Sequence, residues 1–155
     1  MITQDSYPQV FLLLIENEKK IIPISSMAFT VCQTSKKKLK GYLNSIVLSK
    51  DGKIRRICRI TRKGWYGSTS FKKITSALTG AFNIEVELKD VAIEFPRIKQ
   101  MIAEFLKLDL ESGDPFLPQT FPVSEIQKII EPTESIPEIF DRLQIPSAEN
   151  CLDVL

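Results

Sequence analysis

The sequence predicts an α+β fold: a mainly antiparallel sheet with a long helix packed on one face and short helices at the C-terminus. Three observations carry that expectation. Two strand-like runs flank a polar turn near the N-terminus, an Asp-Gly pair joins two β-branched runs in the middle, and an amphipathic helix follows Pro96. The length of 155 residues suits one domain, with a core over about residues 8–108 and a helical extension over about 120–145.

The first pair of strands is read in QVFLLLIENEKKIIPIS, around the turn Glu16-Asn17-Glu18-Lys19. The run Val10 to Ile15 is apolar without interruption, which fits an internal strand buried on both faces rather than one with a wet side. After it, the Ser25-Ser26 pair can cap a helix carrying Met27, Val31 and Thr34 at helical spacing. The runs GYLNSIVLS and KIRRICRITRK flank Lys50-Asp51-Gly52, a short-range hairpin signal because Asp and Gly tolerate the backbone of a tight turn. Alternation then puts Ile54, Arg56, Cys58 and Ile60 on one face of the second hairpin strand and Arg55, Ile57, Arg59 and Lys63 on the other.

Further along, STSFKKITSALTG reads as a short helix stopped by Gly80. FNIEVELKD alternates Ile84, Val86 and Leu88 against Glu85 and Glu87, the pattern of a half-buried strand. Pro96 suits a first helical turn, and Ile98, Met101, Ile102, Phe105 and Leu108 follow as an apolar stripe. ESGDPFLPQTFP is a loop. Two small helices close the pattern, each with a capping box, Ser124 to Gln127 and Ser135 to Glu138.

Charge is distributed unevenly. Residues 36–73 hold thirteen Lys or Arg and one acid, Asp51, whereas residues 74–155 hold fifteen acids and six basic residues; the whole chain is only +2. Such polarity bears on association and partners rather than on fold. It also has an internal use, since the acids of FNIEVELKD can pair with the basic hairpin strand at roughly 0.2–1 kcal/mol per pair.

Histidine is absent and the three cysteines, Cys32, Cys58 and Cys151, are scattered. Triads and metal sites built on imidazole are therefore excluded, and no disulfide framework or zinc ribbon is spaced here. No metal or cofactor is expected. GWYGSTS lacks the lysine and spacing of a phosphate-binding loop. Glu85 and Glu87 share a strand face, as a solvated face requires with no catalysis involved. The longest apolar run is six residues against the roughly 20 that span a bilayer. The N-terminal MITQDSYPQV lacks the basic and apolar regions of a signal peptide, so a cytoplasmic, non-enzymatic protein is the expectation.

Two binding readings follow. The basic residues Arg55, Arg59, Arg62 and Lys63, with Trp65 and Tyr66 as aromatic anchors, suit a protein partner. The same cations interleaved with aromatics also suit a single-stranded nucleic acid, although the acidic C-terminal third would repel phosphates. The solvated, edge-protecting face of a strand produces the same pattern with no partner at all.

The order QVFLLLIENEKKIIPIS, SIVLSKDGKIRRICRI, FNIEVELKDVAIEFPRIKQMIAEFL, SEIQKIIEPTESIPEIFDRL resembles small bacterial immunity-type proteins of polymorphic toxin systems. The resemblance covers most of the chain as an order of elements. It implies a non-enzymatic protein that neutralises a toxin by binding it, and it transfers no functional residue.

Overall fold

The computed structural model describes residues 9–32, 39–65, 82–113, 115, 117 and 121–145. Among these residues six strands form one antiparallel sheet: β1 (Val10–Ile15), β2 (Lys20–Ser25), β3 (Val31–Cys32), β4 (Ile46–Ser49), β5 (Ile54–Trp65) and β6 (Phe82–Asp90), in the spatial order β2-β1-β4-β5-β6-β3. Among the described residues three helices follow: α1 (Phe95–Glu111), α2 (Ile126–Ile130) and α3 (Ile136–Leu143). The α+β class read from the sequence is the observed one. The expected helix over 68–80 lies outside the described residues.

β1 is internal, pairing with β2 on one side and β4 on the other. Its unbroken apolar run divides by alternation between two cores. Leu12 and Leu14 join Ile21, Ile46 and Leu48 beneath α1, while Phe11, Leu13 and Ile15 join Ile22, Ile24 and Val47 on the opposite face. A strand wet on one side would place polar residues at every second position; this one has none to place. Pro23, which has no N–H to donate to a further strand, sits in β2 at the sheet's edge, opposite Leu12.

The first face is covered by helices. Ile98, Met101, Ile102 and Phe105 of α1 pack on it, together with Ile126 and Ile130 of α2 and Ile139, Phe140 and Leu143 of α3. The apolar stripe departs from expectation at its end, where Leu108 is 42% exposed and Asp109 is buried. The reason is angular: eleven residues at about 100° per residue bring position 109 back within about 20° of Ile98, whereas ten leave position 108 on the flank. Asp109 is satisfied by the backbone, its Oδ2 accepting from the N–H of Leu117 at 2.9 Å. Lys99 ties the helices together by donating to the carbonyls of Glu131 (2.6 Å) and Thr133 (3.1 Å) at the end of α2.

The second face has its own lid, which the sequence reading did not anticipate. The segment after β2 forms only a short 3-10 turn, Ser26–Phe29, before Val31 enters β3; the longer helix expected through Val31 and Thr34 is not formed as far as the described residues run. β-branched Thr30 and Val31 favour the extended backbone. Ala28 from this turn, and Leu39 and Tyr42 from the segment before β4, are buried against Leu13, Ile22 and Ile57. Phe29 meets Phe11 edge-on at 5.6 Å between ring centroids.

The two capping boxes part ways. Ser135 does cap α3, its Oγ accepting from the Glu138 N–H at 3.4 Å, while Glu138 Oε2 accepts from the Glu134 N–H at 2.8 Å. Ser124 caps nothing: it lies inside a 3-10 turn, Val123–Glu125, that leads straight into α2, and neither element has a side-chain cap.

Candidate functional site

The candidate surface begins at the hairpin between β4 and β5. Asp51 organises the turn: its Oδ1 accepts from the Ser49 hydroxyl at 2.6 Å and from the Lys53 N–H at 3.2 Å. Gly52 follows with φ 95°, a left-handed backbone that favours glycine, which accounts for the Asp-Gly pair. The Ser49 hydroxyl above all, then the Lys53 amide, hold the Asp51 carboxyl below the usual carboxylate range.

β5 runs from this turn with two irregularities. Its register with β6 passes from Ile57↔Leu88 to Arg59↔Glu87 and from Arg62↔Ile84 to Gly64↔Asn83, so Cys58 and Lys63 are extra residues without a partner in the ladder. This corrects the simple alternation. Ile54 packs toward α1, but Ile57 and Ile60 share the second face, although three residues apart, because the bulge at Cys58 changes the phase between them.

The predicted cations are consequently split. Arg55 lies opposite Asp90, with its Nε 3.4 Å from the carboxylate. Arg59 lies opposite Glu87 at 3.9 Å, and Lys63 reaches Glu85 at 3.1 Å. Arg56, not among the predicted residues, makes the shortest contact, donating to Glu16 Oε1 and to the Asn44 carbonyl, each at 2.7 Å. Arg62 is exposed and stands opposite Ile84. Trp65 ends β5, and Tyr66 lies outside the described residues. Part of the positive charge of the hairpin is thus answered within the sheet by the acids of β6. Those same pairs occupy Glu85 and Glu87.

Beside this strand is a cleft of about 670 Å³ lined by Leu39, Lys40, Leu43 and the β5 residues Cys58 to Arg62. Lys40 thereby meets the hairpin strand, a juxtaposition sequence reasoning missed; the signal was Leu39, Tyr42 and Leu43 at i, i+3, i+4 around it. Leu43 and Ile60 are half-buried, Lys40 and Arg62 exposed, so an apolar floor has a cationic border. Cys58, an exposed free thiol, sits on the same wall.

A second cleft, about 780 Å³, opens at the other end of the hairpin between Phe11, Ser49, Asp51, Phe140 and Gln144. Among the described residues, no helix is long and apolar enough to cross a membrane. Compared with family models, with curated proteins and with solved structures, the chain gives no match.

Proposed function

We propose that this chain is a non-enzymatic protein-binding module of the immunity type, acting in the cytoplasm, which neutralises a cognate toxin by stoichiometric association. The observation that supports this reading is the cleft between Leu39-Lys40-Leu43 and β5: an apolar floor with lysine and arginine at its border fits a protein segment that offers carboxylates around an apolar side chain. A nucleic acid would be held mainly by free cations. On β5, Arg55, Arg59 and Lys63 already face carboxylates of β6, which lowers the field available to phosphates.

The test is co-expression with the product of the adjacent gene. The expected result is restored growth and an equimolar complex whose affinity falls at least tenfold when Lys40→Glu and Arg62→Glu are combined. Failure of the adjacent product to bind, together with sub-micromolar affinity for a single-stranded oligonucleotide of about 20 residues and a steep fall of log affinity with log salt, establishes nucleic-acid binding instead.

A further inference from the structure

The edge of the sheet beyond β6 carries a second surface. Among the described residues β3 covers only the start of β6, pairing Val31 with Asn83 and Cys32 with Phe82. Two backbone hydrogen bonds fix which groups of β6 point outward. The Ile84 N–H donates to Thr30 on the outer side (2.9 Å), and the Val91 N–H donates to Ile54 of β5 on the inner side (3.1 Å). Both irregularities of this pair are extra residues of β5, so β6 alternates without interruption, and the N–H and C=O groups of Val86, Leu88 and Asp90 face away from the sheet. Lys89 is exposed on this edge. Its neighbour in the ladder is another cation, Arg56, which is already engaged by Glu16.

We propose that a second copy of this chain pairs with this edge, β6 against β6 in antiparallel register about a two-fold axis at Leu88. Three hydrogen-bonded pairs result: Leu88 with its counterpart on the axis, and Val86 with Asp90 of the other copy, twice. In the same register Glu87 stands opposite Lys89 of the other copy, also twice, at the positions where cross-strand side chains approach most closely. Neighbouring registers are worse. Centring on Val86 sets Glu85 opposite Glu87, and centring on Glu87 sets it opposite itself and brings in Ile84, whose N–H is already used. The pattern is self-complementary in one register, as an isologous contact requires. A five-residue edge buries less than a standard interface, so the association is weak, with Kd in the range of about 10–1,000 µM.

Sedimentation at increasing concentration of the full chain tests this. The wild type is expected to dimerise. Glu87→Lys alone and Lys89→Glu alone, both exposed positions, each weaken the dimer about tenfold or more by setting like charges opposite one another. Mixing the two variants restores association, because one chain then carries lysine at both positions, the other carries glutamate at both, and every cross-strand pair joins opposite charges. Amide exchange supplies the location: protection that rises with protein concentration is expected at Val86, Leu88 and Asp90, and not at Glu85, Glu87 and Lys89, whose amides already face β5. A wild type that stays monomeric to about 1 mM overturns the proposal. So does a dimer indifferent to both charge reversals, or protection of these amides only when a different protein is added.

Discussion

The two ends of the sheet are built on opposite plans. At the β2-β1-β4 end, apolar residues fill both faces, with helices over one and Ala28, Leu39 and Tyr42 over the other. At the β5-β6 end, beyond Ile54, only the second face is apolar, and the first carries Arg59, Glu85 and Glu87, all exposed. Hydrophobic burial holds the first end. Geometry and modest ion pairs align the second, where charge is exposed and, among the described residues, the outer backbone groups of Val86, Leu88 and Asp90 face away from the sheet. The lesson is that burial and exposed charge are separated along a single sheet, and each can be disturbed without the other.

The largest effect is expected at the buried end. Leu13→Ala and Leu12→Ala, each fully buried but in different cores, should each cost about 2–5 kcal/mol in denaturant unfolding. Equal losses would show that the lid over the second face is as firm as the helices over the first. A Leu13 loss well below about 2 kcal/mol would break the comparison by showing that face to be loosely closed.

Next comes the turn that joins the two plans. Gly52→Ala should cost about 1–2 kcal/mol, because φ 95° is unfavourable for any residue with a Cβ, although the added methyl would meet only an ordinary van der Waals contact, Pro137 Cδ at 3.8 Å. A smaller effect is expected on the ladder. Arg59→Ala and Lys63→Ala should each change stability by less than about 1 kcal/mol, since both partners of each pair are largely exposed. Unfolding of either variant by more than that would mean the ladder supports the fold and is not merely aligned by it.

The smallest effect concerns pH. A carboxyl held below its ordinary range in the folded chain binds its proton more readily when unfolded. Asp51 therefore stabilises the fold above the ordinary carboxylate pKa, and that contribution is lost as pH falls through the lowered folded value. Asp51→Asn should remove that contribution at neutral pH, a small one because the side chain is exposed, and so flatten the acid limb of stability measured below about pH 4.

The elements legible in the sequence were those whose signal is local. Val10–Ile15 showed its double burial by having no polar position, Asp51-Gly52 showed its turn, and Ile84, Val86 and Leu88 showed their common face. The ion pairs from Arg59 and Lys63 to β6 were legible as complementary charge. What stayed hidden depends on tertiary geometry. No local pattern announces that Cys58 is the residue left out of the ladder, that Asp109 rather than Leu108 turns inward, or that a helical turn shifts past Ser124 and leaves it without a capping role. The cleft shared by Lys40 and Arg62 required the lid over the second face, whose cover comes from segments remote in sequence from the strand they close.

The extra residue at Cys58 acts on β5 as an inserted letter acts on a reading frame. Upstream of it, odd-numbered positions read into the second core; downstream, even-numbered ones do, so Ile57 and Ile60 are in phase although their numbers disagree. Excision of that one residue would leave Ile57, Arg59 and Ile60 in strict alternation against Leu88, Glu87 and Val86, the partners they already have. Loss of Ile57 or Ile60 would remove a core residue itself. Cys58, like Lys63 farther along, is therefore a position where a change of length is nearly silent, and it is set within the wall of the cleft, where the surface can be remodelled while the sheet beneath it keeps its sense.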